Sequence, residues 1–149
     1  MKQVTIILFL TCSWFLSVAQ MEVLKENSWT IKWNKKVLLT ATSENESANT
    51  RKLKKTELSK KYFLEINYKE ADPVKAKEWK RSFLFFGDTE NELLRKDSTQ
   101  SVKIAAAELK KLFGKQKKIR IYTLSIPTDP DLAARVRVRR VHVCTLMLY

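Results

Sequence analysis

From residue 28 onward the apolar residues of this chain mostly recur at every second position, and a run with that period buries one face only as a β-strand. Trp29, Ile31 and Trp33 share a face, Asn34-Lys35 offers a turn, and Val37, Leu39 and Ala41 line the returning strand. Tyr62, Leu64, Ile66 and Tyr68 form the next run, followed by Trp79, Arg81, Phe83 and Phe85. The latter is apolar on both faces near its end, which predicts an interior strand. A shorter strand is expected over residues 91–96, between the polar turns Gly87-Asp88-Thr89 and Asp97-Ser98-Thr99.

The period then changes. Val102, Ala105 or Ala106, Leu109, Leu112 and Phe113 fall on one helical stripe, with Ser101 as N-cap and Gly114 as C-cap. The competing reading pairs residues 101–104 as a strand before a shorter helix. Residues 117–126 alternate again until Pro127 ends the strand, and Asp129 starts one helical turn reaching residue 134. A last strand is expected over residues 135–146. Its valines change parity between Val138 and Val141, so a β-bulge is expected at Arg139-Arg140. Residues 43–61 read as a loop anchored by Leu53 and Leu58, and Asp72-Pro73 marks a shorter connection. The expected fold is mainly β, an antiparallel β-sandwich of about seven strands with one short α-helix. The alternative is an α+β fold with a single antiparallel sheet.

The first nineteen residues have a different character. Lys2, a mostly apolar run over residues 4–16 and the small residues of Ser17-Val18-Ala19 have the outline of a cleaved secretory signal peptide. Cleavage before Gln20 resembles the leaders of secreted proteins of the Bacteroidota. The run is shorter than the roughly 20 apolar residues of a membrane span, so no transmembrane segment is expected. Residues 20–149 would then form one exported domain, periplasmic, associated with the outer envelope or extracellular. Cys12 leaves with the leader, and Cys144 remains as the single thiol with no intramolecular partner. Lipidation of Cys12 is the weaker reading, since Thr11 is bulky for that motif and the apolar run continues past the cysteine.

Enzyme signatures are sparse. His142 is the single histidine, which excludes a multi-histidine zinc site, and no cofactor or metal is expected. His142 and Cys144 would share the outward face of the last strand, without the pocket or lowered thiol pKa that a nucleophile requires. The chain lacks a glycine-rich phosphate loop and a nucleophile elbow. A secreted hydrolase remains the alternative, with carboxylates such as Asp88, Asp129 or Glu65 brought together by the fold.

Charge is the stronger signal. The chain carries 29 lysines and arginines against 16 acids, a formal charge of +13, and loss of Lys2 with the leader lowers it to +12. The last strand would project Arg135, Arg137 and Arg139 in a row about 7 Å apart, with Arg140 next to them. Lys118 and Arg120 would lie on the neighbouring strand. These six residues form the candidate anion-binding site, since guanidinium groups hold carboxylates, sulfates and phosphates bidentately. The expected function is a small non-catalytic binding protein for an anionic partner: an envelope polysaccharide, a lipid head group or an acidic protein surface. Nucleic acid fits the charge, but no recognition module is present. Among the aromatics, Trp29, Trp33 and Trp79 read first as core, with a glycan platform as the functional alternative.

Overall fold

The structure, a computed structural model, describes residues 26–97 and 99–149. The expected leader and cleavage site, with Cys12, lie outside the described residues. Period-two patterning dominates: the described residues form nine strands in two sheets and three short α-helices, against the expected seven strands and one helix. The strands are β1 (Ser28–Trp33), β2 (Lys36–Ala41), β3 (Thr50–Leu53), β4 (Phe63–Lys69), β5 (Trp79–Phe86), β6 (Glu92–Lys96), β7 (Ser101–Ala105), β8 (Lys118–Pro127) and β9 (Val141–Leu148). The helices are α1 (Pro73–Glu78), α2 (Ala106–Phe113) and α3 (Pro130–Arg135). One sheet has the order β2-β1-β4-β7 and the other β3-β9-β8-β5-β6.

The β1–β2 hairpin turns where the sequence expects it. Asn34 (φ 46°) and Lys35 (φ 71°) are both left-handed, the conformation that a tight two-residue hairpin turn uses. The register slips beyond the turn: Ile31 faces Leu39 but Lys32 faces Val37, so Leu38 is an extra residue. Leu39 is therefore buried, whereas Val37, expected on the same face, is 52% exposed.

Three further expectations are corrected. Residues 101–105 are the strand β7, because Val102 and Ile104 lie opposite Ile66 and Leu64 of β4 and pack with them in the core. Ser101 therefore opens a strand, and the N-cap of α2 is Ala105, whose side chain accepts no capping hydrogen bond. Residues 43–61 hold β3 and a 3₁₀ turn (Lys55–Ser59), and β3 pairs parallel to β9, so the second sheet is mixed. Four residues with one fully buried apolar side chain, Leu53, are too short to show alternation. Finally, β9 starts at Val141. Arg135 ends α3, and residues 136–140 are an irregular link. The bulge lies further along, where Ile121 faces Cys144 and Tyr122 faces His142, which leaves Val143 as the extra residue.

The apolar faces of both sheets meet in one core. Trp29, Ile31, Leu64 and Ile66 contribute from the first sheet, and Phe83, Phe85, Ile119, Ile121, Cys144 and Leu146 from the second. Leu109 and Phe113 of α2, with Leu53 and Leu58, extend it. Each such side chain contributes about 1.5–3 kcal/mol on leaving water. A direct link crosses between the sheets, where Trp29 Nε1 donates to the Val143 carbonyl at 2.8 Å. Leu84 and Phe86 are also buried but belong outside this cluster. They alternate with Phe83 and Phe85 and so cover the opposite face of the second sheet.

Candidate anion-binding cleft

Strand parity on β5 puts an arginine on the core face. Trp79, Arg81, Phe83 and Phe85 point the same way, and Arg81 is only 4% exposed. A guanidinium taken from water at this depth costs several kcal/mol unless its charge and its donors are met. Arg81 has a partner for each nitrogen. One terminal nitrogen makes an ion pair with Glu70, the other donates to Thr123 Oγ1 at 3.1 Å, and Nε donates to Gln100 Oε1 at 3.3 Å. The guanidinium also lies 3.7 Å from the centre of the Tyr68 ring, which in turn stacks on Trp29 at 5.8 Å. Burial raises the pKa of the Tyr68 phenol, against the opposing pull of Arg81. Tyr68 belongs to the first sheet and Arg81 to the second, so the charge pair closes one end of the space between them.

A cleft of about 150 Å³ opens over this pair. Its walls are Asn27, Tyr68, Glu70, Lys75, Trp79, Arg81, Leu124, Ser125 and Val141, with Arg137, Val138 and Arg139 from the link before β9. Trp79 is half-buried and borders two more hollows, of about 400 and 170 Å³. The Lys75 ammonium lies 5.2 Å from the Trp79 ring centre. α1 supplies that lysine, and it starts there because Asp72 accepts from Val74 N at 2.8 Å while Pro73 fixes the first turn.

The six expected site residues are divided by the fold. Arg137 and Arg139 line the cleft. Arg137 is exposed and has no side-chain partner among the described residues, and Arg139 pairs with Glu44 at the surface. Arg135 lies in the last turn of α3, with Nε donating to the Asp131 carbonyl at 3.1 Å. Arg140 rests its guanidinium 5.1 Å from the ring of Phe86 and 5.6 Å from that of Tyr122. Arg120, on β8, pairs with Glu90 and donates to the Gly87 carbonyl at 2.8 Å, while its Nε is buried without a partner. Lys118 is half-buried at the start of β8, where Asp88 accepts from its backbone N–H at 3.3 Å. The expected row of strand arginines is thus absent: helix α3 takes Arg135, and the irregular link lets the others diverge. β8 faces Met147 and Thr145 at Lys118 and Arg120, so these two cations do not lie beside the arginine segment.

His142 and Cys144 are not on an outward face. The bulge at Val143 and cover on both sides of β9 bury residues 142–146 in succession. His142 Nε2 lies 3.0 Å from Thr145 Oγ1, its ring meets Tyr122 edge-on at 5.5 Å, and its Nδ1 has no partner. Burial lowers the pKa of this imidazole. Burial also pushes the Cys144 thiol up to about 12, which keeps it protonated. The carboxylates offered for acid–base work lie apart. Asp88 accepts from Lys117 N and Lys118 N, Asp129 caps α3, and Glu65 accepts from Asn67 on β4. Asp129 does share a surface hollow with Glu78, but one of its oxygens is engaged by the cap.

No protein-family model matches this chain, and no curated protein matches it either. Arg81, Glu70 and Tyr68 are the site residues that reading the arginine-rich segment alone misses. The signal for them is in the sequence: an arginine in phase with Trp79, Phe83 and Phe85 must be buried with those residues, and a buried arginine requires an acid.

Proposed function

We propose that this protein is an exported, non-catalytic binding protein whose cleft holds an acidic group of a polysaccharide. One observation carries the reading: Arg137 and Arg139 stand beside Trp79 at a cleft whose floor charge, Glu70, is already neutralised by Arg81. The free guanidinium of Arg137 can therefore meet a carboxylate or sulfate without opposition from that acid. Arg139 is 74% exposed, and its surface pair with Glu44 is weak enough to exchange for a ligand. The half-buried indole of Trp79 in the cleft wall suits a sugar ring, which favours a glycan over a lipid head group or an acidic protein. A space of about 150 Å³ admits one acidic substituent, and the hollows flanking Trp79 extend the contact along a chain.

Retention on an immobilised uronic-acid polysaccharide, run against a neutral polysaccharide, tests this reading. Arg137→Ala with Arg139→Ala shortens retention and flattens its salt dependence, while Trp79→Ala shortens it at constant salt dependence. Binding to anionic vesicles or to an acidic protein that survives Trp79→Ala but not the arginine pair would replace the glycan with that partner. Retention unchanged in all variants would rule out the cleft as the binding site.

A further inference from the structure

A second concavity lies far from the arginine cleft in chemistry. The 3₁₀ turn Lys55–Ser59 and helix α2 face each other across a groove of about 720 Å³, within the roughly 300–1,000 Å³ typical of small-molecule sites. Its floor is apolar. Leu58, Tyr62 and Phe63 line it with Ala105, Ala106 and Ala107, which contribute only methyl groups and leave the groove its depth. Phe63 stays 41% exposed despite its size.

The lips are cationic. Lys60 and Lys61 border one side and Lys110 and Lys111 the other, and among the described residues no carboxylate pairs with any of the four. Lys110 Nζ spans the lips to Ser59 Oγ at 3.3 Å, and Lys60 lies 5.4 Å from the ring of Tyr62. A purely apolar ligand would leave the four ammonium groups uncompensated. A polyanion would leave the aromatic and methyl floor in contact with water. We propose that this groove binds a free long-chain carboxylate, with its alkyl chain over Tyr62, Phe63 and the three alanines and its head group among the lysines.

Titration of the full chain with monomeric dodecanoate tests this, read by calorimetry and by indole fluorescence, since Trp33 meets Tyr62 edge-on at 5.8 Å. Dodecanol binds at least about tenfold more weakly than dodecanoate, and Lys60→Gln with Lys110→Gln removes that preference. Ala107 is exposed on α2, so Ala107→Phe fills the groove without touching the core and abolishes binding. Equal affinity for the alcohol and the acid, or full binding by Ala107→Phe, overturns the proposal. Loss of binding in Arg137→Ala with Arg139→Ala would move the ligand to the other cleft. Binding to phosphatidylglycerol vesicles in preference to the monomer would make the groove a membrane contact and overturn it equally.

Discussion

Arg81 and Glu70 form an ion pair whose side chains are 4% and 6% exposed, set beneath the ring of Tyr68 at the end of the space between the two sheets. The pair lines the same cleft as Arg137 and is charge-balanced within itself. Removing one partner strands the other in a low-dielectric site. Glu70→Ala therefore destabilises the protein by about 3–5 kcal/mol, seen as a lower urea midpoint at unchanged slope. Glu70→Leu with Arg81→Met restores most of that loss, because two apolar side chains leave no buried charge behind. A cost below about 1 kcal/mol for Glu70→Ala would mean that water reaches the pair.

His142 gives the fold an acid-sensitive component. Burial lowers its folded pKa below the ordinary 6.5, against the weaker opposing pull of Glu46 and Glu44, with Arg120 acting in the same direction as burial. The unfolded chain thus takes up the proton first as pH falls. Stability from the neutral imidazole is full above pH 6.5 and is lost as pH drops below it. The loss is at most about 1.4 kcal/mol per pH unit for one group. Urea midpoints at about pH 7.5 and about pH 5 should differ less for His142→Gln than for the wild type. An equal difference in both would assign the acid sensitivity to carboxylates.

Cys144 reports on global opening. Its thiol is fully buried, and burial pushes its pKa up to about 12, so almost no thiolate exists at neutral pH. Labelling of Cys144 by an aromatic disulfide should be slow in buffer and should follow the unfolding transition in urea. Rapid labelling of the folded protein would show that β9 opens locally.

The two ends of α2 predict opposite effects. Gly114 caps the helix at φ 44°, and a Cβ there would lie 3.3 Å from the Lys111 carbonyl oxygen. Gly114→Ala therefore costs about 1 kcal/mol or more. At the other end, Ala105 occupies the N-cap without a side-chain acceptor. Ala105→Ser supplies one and stabilises the protein by about 0.5–2 kcal/mol. Thermal melts of the two variants test the pair of signs.

Where alternation was long and one-sided, the residues declared their own structure. Leu64, Ile66 and Tyr68 of β4, and Ile119, Ile121 and Thr123 of β8, are buried in the phase that their sequence sets. The short parallel strand β3 was not legible, because its pairing with β9 is non-local and its four residues show no period. The arginine segment misled for a related reason. Alternating Arg and Val satisfies the strand pattern, but the proline-started helix α3 claims Arg135 and the link to β9 runs free of any sheet partner. Of the six expected anion-binding residues, Arg137 and Arg139 reach the cleft. The bulge at Val143 was not legible: the valine parity change between Val138 and Val141 falls in the link before β9, and the bulge itself is set by the pairing with β8.

Under the proposed function, an acidic glycan would sit against Trp79 between Arg137 and Arg139. A two-dimensional ¹H–¹⁵N titration of the tryptophan indoles with a uronic-acid oligosaccharide tests that placement, with Trp79→Phe assigning the signal. The expected result is that the Trp79 indole shifts in a saturable, salt-sensitive way that Arg137→Ala weakens, while the buried indoles of Trp29 and Trp33 stay in place. An unmoved Trp79 signal at concentrations where the oligosaccharide is bound would contradict it.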